Sequence, residues 1–262
     1  MIDVPELSPL DRADASLSAA AAATVADALV PRDRSLPVAL ARVAAACGAG
    51  ADRSTVERVE TAVAAFEGYV RLRAASLDPT AERDVAVLAS DYLHARAYEA
   101  IGGASVACPR RLALYRVLID GSDALARRFF ERSAAESTTD DASSAAALAG
   151  VAGELGATAA GASRETATAF GRYGRALATA LDRVPSPGPR DAVVRALSGA
   201  EPPDGADGAD RTRRASRPDP NLDRLGAALD ALVAADAVDP RVRRRLERAT
   251  RITTERGYRD DG

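Results

Sequence analysis

The chain has 262 residues, 47% of them hydrophobic, enough apolar material for one large domain or two small ones. Its 35 basic residues are all Arg against 38 acids, a net charge of −3, which excludes a chain that binds nucleic acid through its overall charge. Aromatics are only 4%, Trp is absent and Ala dominates; Ala favours helix and lets helices approach closely, and no strand-like alternation or hairpin signal interrupts it. The expectation is an all-α fold.

In chain order, residues 1–15 begin with acids rather than the basic and apolar run of a signal peptide. A first Ala-rich helix is predicted over Ala15–Val30, ended by Pro31. Its apolar window, Leu17–Val30, holds Ser18, Thr24 and Asp27 and is too short to span a membrane. A soluble, cytoplasmic protein without a transmembrane segment is therefore expected. VPRDRSLPVALARVAAACGAG reads as a loop and then a helix with Val38, Leu40, Ala41 and Val43 inward, stopped by Gly48 and Gly50. The helix Thr55–Leu77 follows, carried by Val56, Val59, Val63, Phe66 and Val70. Cys47 and Cys108 have no partner at metal or disulfide spacing and are expected to be two buried thiols.

Residues 84–102, DVAVLASDYLHARAYEAIG, are apolar on most sides and predict an interior helix, capped by Asp84 and ended by Gly102 and Gly103. Within it Asp91 and His94 share one face, and so do Arg96 and Glu99. Charges on such a helix need partners, so it is expected to line something polar. His94, the single histidine, lacks a second ligand at metal spacing and is expected to hydrogen-bond with Asp91 or a neighbouring helix.

A helix from Cys108-Pro109 uses Leu112, Leu114, Tyr115 and Leu118. Asp120-Gly121-Ser122-Asp123 reads as a turn and cap, followed by a helix with Leu125, Phe129 and Phe130 against the core. Residues 136–144 form a polar loop containing Asp140 and Asp141. Residues 145–184 are helical, with Gly150, Gly153, Gly156, Gly171 and Gly174 marking close approach and Ser163 as a cap. VPSPGPR ends that run, and a short helix, Asp191–Leu197, follows. The Gly, Pro, Asp and Arg-rich stretch after it reads as a linker, and Leu222–Val233 and Pro240–Arg256 as two amphipathic helices. The arginines of 241–251, interleaved with acids and lacking aromatics, describe a solvated face. The organisation expected is a helical domain over 1–198, a flexible loop over 199–221, and helices over 222–257 that pack on the bundle.

Two segments carry a family resemblance. VLASDYLHARAYEAI is similar to VLAGDYLLARAFELL, and AAALAGVAGELGATAAGASRETATAFGRYGRALATALDRV to KTASLFRAACELGALLAGA…YGRNLGLAFQIVDD, both of the trans-isoprenyl diphosphate synthases, the polyprenyl synthetase family. The resemblance is collinear over residues 31–184. It implies a helical bundle around a central cavity, with Asp91, His94, Arg96, Tyr173 and Arg175 as candidate pocket-lining residues.

The family's chemical motifs do not match. Against GGKRLRP, Arg34 and Pro37 remain, but Asp33 replaces the Lys and Leu36 the arginine that holds isopentenyl diphosphate. At the first aspartate-rich motif Asp78 stands alone, followed by Pro79, and the segment bearing the RRGxP arginines is missing. Ser144 replaces a diphosphate-binding Lys; Asp182 and Pro185-Ser186 replace the Gln and paired aspartates of FQxxDD. Magnesium chemistry on a diphosphate needs several carboxylates, because a hard cation takes oxygen ligands. The remaining metal candidates are Asp78, Glu82, Asp140 and Asp141, with a helix-to-helix turn and helix-dipole acids as the plainer account.

The resemblance therefore implies a non-catalytic relative with no cofactor, acting as partner or regulatory subunit of an active prenyl diphosphate synthase in a hetero-oligomer, or as a homodimer. The alternatives are a diverged prenyltransferase using Mg2+ at relocated acids, and an isoprenoid- or lipid-binding protein that uses the emptied cavity.

Overall fold

A computed structural model describes residues 17–48, 51–75, 83–134, 141–183, 187–200, 219–235 and 238–257. Among them are ten α-helices and no strand: α1 Ala19–Ala28, α2 Leu36–Ala45, α3 Arg53–Ala75, α4 Arg83–Gly102, α5 Cys108–Ala134, α6 Asp141–Ala159, α7 Arg164–Leu181, α8 Pro187–Ser198, α9 Pro220–Ala234 and α10 Pro240–Gly257. The all-α expectation holds.

The innermost element is α2. Ser35 caps it by accepting the Val38 amide at 3.1 Å, and Pro37 supplies a preset φ in the first turn. Every residue of α2 except Arg42 is buried, and it packs against α3, α6 and α8. A helix apolar on all faces can only be stable enclosed in this way.

Glycine sets the contact between α2 and α6. A Cβ on Gly156 would collide with the Ala41 carbonyl oxygen, so the two backbones meet directly. The α6–α7 pair is built likewise: a Cβ on Gly153 would lie 2.7 Å from the Phe170 carbonyl oxygen, and one on Gly174 would strike that of Ala149. At the end of α6, Gly161 takes φ +77°, and the Ala162 amide reaches back to the Ala157 carbonyl at 3.1 Å. The left-handed residue plus the back-bond is the usual glycine termination of a helix. Small residues thus bring α2, α6 and α7 into backbone contact.

A second pair, α3 and α4, lies to one side with α1 against it. Ala89, Leu93, Ala97 and Ile101 face inward from α4, whereas Leu88 is 66% exposed and Ala95 also faces solvent. The expected interior helix is therefore half-buried, with one face open. Alanine explains the discrepancy, since it serves a buried and an exposed helix face equally well.

The turn expected at residues 120–123 does not form, because α5 runs straight through it. Gly121 lets α5 press against Val151 of α6, where a Cβ would meet Val151 Cγ2 at 2.5 Å. Asp123 pairs with Arg127 one turn on. Tertiary contact overrides the local turn propensity. Leu114, Leu118 and Leu125 are fully buried, but Leu112, Ile119 and Phe130 are exposed, Phe130 by 77%. Phe130 was expected in the core; it lies one residue from Phe129, which takes the inward position.

The helix expected over Asp191–Leu197 begins earlier, at Pro187, a residue suited to a helix start. α9 packs on α7, and α10 on α8. No helix among the described residues is long and apolar enough to cross a membrane.

Candidate functional site

The polar residues of α4 look toward α3 and α5. His94 is sandwiched in a ring cluster: its centroid is 4.6 Å from that of Tyr69, 6.1 Å from Phe66 and, edge-on, 5.1 Å from Tyr98. Tyr98 in turn stacks on Tyr115, and Phe129 meets Tyr69 edge-to-face. His94 Nε2 lies 2.9 Å from Ser122 Oγ, which is 3.2 Å from the Tyr98 hydroxyl. The histidine partner is thus on a neighbouring helix, supplied by a residue that sequence reasoning put in a turn. Burial pushes the His94 pKa below its ordinary value; nearby Asp91 opposes this and Arg73 adds to it. His94 is an imidazole packed within the ring cluster.

Asp91 does not bond to His94. It is exposed and takes the Arg73 guanidinium at 2.5 Å, while Arg73 also sits 5.9 Å above the Tyr69 ring. Arg96 pairs with Glu99 on its own helix, as their spacing predicts. Tyr173 and Arg175 are elsewhere. Tyr173 is fully buried, donates to the Leu246 carbonyl oxygen at 3.1 Å, and lies 3.1 Å from Thr250 Oγ1, both on α10. Arg175 is exposed and packs its stem over Gly150. The five candidates therefore occupy two places, three on α4 and two on α7.

Asp78, Glu82 and Asp140 lie outside the described residues; Asp141 opens α6, and its side chain is not described. Among the described residues no three His, Cys, Asp or Glu side chains gather where they could hold a metal. The carboxylates near the resemblance motifs are committed elsewhere. Asp182 ends α7 and faces Arg190 at 3.6 Å, its pKa raised by burial and partly offset by that arginine. Glu60 takes Arg42 in a forked bond of 2.6 and 2.9 Å. These carboxylates do not fit a magnesium site.

Sequence reasoning missed the interior acid Glu67. It is buried and accepts the Ser35 hydroxyl at 2.6 Å. Burial raises its pKa, opposed by that hydrogen bond and by the charges of Arg190 and Arg71. The signal was present: Glu60 and Glu67 are seven apart, on the stripe of Val59, Val63, Phe66 and Val70. Two acids on an apolar stripe announce buried partners.

The positions that the resemblance assigns to diphosphate cations are filled differently. Leu36 is 1% exposed and belongs to the core, Ser144 is buried, and Asp33 stands in the exposed loop before α2.

A separate groove of about 450 Å³ runs between α7 and α9. Alanines floor it, Arg172, Arg175 and Arg224 line it, and Asn221 enters from the first turn of α9.

No family model matches the chain, and no curated protein matches it. Among solved structures it is similar to the geranylgeranyl pyrophosphate synthetase from Pyrococcus horikoshii Ot3, at 16% sequence identity and a TM-score of 0.48, covering 84% of this chain and 79% of that one. A likeness at this level assigns neither a substrate nor an activity.

Proposed function

We propose that the chain is a non-catalytic protein of the isoprenoid-synthase type that acts by pairing with an active prenyl diphosphate synthase. The observation that carries this reading is Leu36. The resemblance puts the isopentenyl-diphosphate arginine at this position, and here it is an apolar side chain sealed in the core beside the buried pair Ser35–Glu67. A diphosphate brought to that place would meet an apolar side chain and the buried Glu67 carboxylate, which the nearby Arg190 and Arg71 charges already serve, and burying it there is costly.

Two further features support the reading. Backbone contact of α6 with α2 and α7 leaves no width between those helices for a prenyl chain. The face that would engage a partner is formed by Leu112, Ile119 and Phe130 on α5, large apolar side chains turned to solvent at helical spacing; Leu88 on α4 is exposed as well. Exposed apolar groups at helical spacing on one element are the usual mark of a protein contact.

The experiment is incorporation of labelled isopentenyl diphosphate into an allylic diphosphate with Mg2+, with this protein alone and mixed with the full-motif synthase of the same cell. The expected result is no turnover alone and a changed rate or product length in the mixture. Turnover by the chain alone overturns the reading, and so does a mixture indistinguishable from the synthase by itself.

A further inference from the structure

We infer that the α7–α9 groove is an anion site that takes a phosphate- or diphosphate-bearing molecule. The inference does not rest on the pairing reading, because neither α9 nor this groove enters it.

Charge is the first support. Arg172 and Arg224 project from two different helices onto one groove, Arg175 lines its edge with its guanidinium turned back over Gly150 and Gly171, and none of the residues lining the groove is acidic. None of the three arginines makes an ion pair with another described residue, whereas Arg42, Arg73 and Arg243 are paired with Glu60, Asp91 and Glu247. Cations gathered without acids repel one another, and a multiply charged anion relieves that repulsion.

Asn221 is the second and independent support. It is 5% exposed, it lines the groove, and its Nδ2 is buried with no hydrogen-bond partner. A buried amide donor left unmatched costs stability unless something accepts from it. Phosphate oxygens satisfy both features at once, accepting from the amide and from forked guanidinium groups.

Size and floor narrow the class. About 450 Å³ exceeds what a lone phosphate needs, and the remaining floor is alanine. The groove thus suits a charged head with a small apolar portion lying along Ala228 and Ala231. Two arginines facing the groove, with a third at its edge, match the charge of a diphosphate or phosphate monoester better than the single charge of a carboxylate.

The test measures binding of inorganic pyrophosphate to the full chain by calorimetry at low salt, with sodium acetate as control. It is repeated for Arg172→Glu, Arg224→Glu and Asn221→Leu. Saturable binding of pyrophosphate over acetate is expected, weakened by about tenfold or more in each arginine variant and in the leucine variant. The two arginines are exposed, so helical circular dichroism should match the parent. If Asn221→Leu unfolds, the arginine variants alone decide.

A second arm sediments the protein with phosphatidylcholine vesicles with and without phosphatidylglycerol. Pyrophosphate binding identifies a free phosphate ligand; binding only to the phosphatidylglycerol vesicles, lost in the arginine variants, identifies a lipid phosphate. Absence of binding in both arms, or binding undiminished by the arginine reversals, overturns the site.

Discussion

Tyr173 lies within a stretch that resembles a synthase segment, and its use here is structural. The hydroxyl is buried between α7 and α10, with the Leu246 carbonyl and Thr250 as partners. Tyr173→Phe keeps the ring and removes those bonds, so it should cost about 1 kcal/mol in chemical denaturation. A much smaller loss would mean that the carbonyl and Thr250 are satisfied without it. Glu67 makes a prediction of the opposite sign. Its folded-state pKa lies above its unfolded one, so the folded protein holds that proton more tightly. Its contribution to stability is fully present below the unfolded carboxylate range and is lost as pH rises through the folded pKa. Glu67→Gln keeps an acceptor for Ser35 and never ionises; it should therefore stabilise the protein at neutral pH. The gain should fade as the pH falls toward the ordinary glutamate range. Paired urea melts at several pH values measure the difference, and a gain that persists into acid would contradict the assignment.

Helix α6 is the clearest case of one element specified by its smallest residues. Gly156 faces the Ala41 carbonyl, backbone to backbone, so Gly156→Ala cannot be absorbed by a side-chain rotation. The expected loss is about 3 kcal/mol, read from thermal or denaturant unfolding, against the gain of about 1 kcal/mol that alanine would bring in an exposed helix. Most helices were legible from spacing and caps: Ser163 caps α7 as its position implies, whereas the Ser35 cap of α2 went unread. Two features were not legible. The turn signal at 120–123 is local, whereas the contact of Gly121 with Val151 joins residues thirty apart in sequence and cannot be read from a window. The choice of the innermost helix was also hidden. The 84–102 segment and α2 are both apolar and Ala-rich, and only the neighbours decide which is enclosed. The site fared similarly. Arg96 and Glu99 meet because a helix places them together, but Ser122 reaches His94 and Asn221 enters the α7–α9 groove through tertiary packing.

At the scale of the whole molecule, the described helices form a tight layer around α2 and a looser outer edge at α4 and α5. The outer edge carries Leu88, Leu112, Ile119 and Phe130, each half or more exposed, and Phe130 gains least from the fold as it stands. Phe130→Ser should accordingly leave the unfolding midpoint nearly unchanged. It should weaken association with the synthase, or self-association, by about 2 kcal/mol if Phe130 is an anchor of the contact. Analytical ultracentrifugation of the parent and variant chains, alone and with the synthase, measures it. An unaltered association constant would move the contact to another face.

The enclosure of α2 carries a consequence for motion. Val38, Ala39, Leu40, Ala41, Val43 and Ala44 have no exposed surface, and the helix is held by α3, α6 and α8 together. It cannot swing out while its neighbours stay in place, so no partial opening exposes its amides. Its amide hydrogens should exchange with deuterium only when the whole molecule unfolds, and slower than those of α4, whose outer face is already in water. The slowest-exchanging set should therefore report the global stability of the chain, and a partner bound at the outer edge should slow it only by stabilising the entire fold.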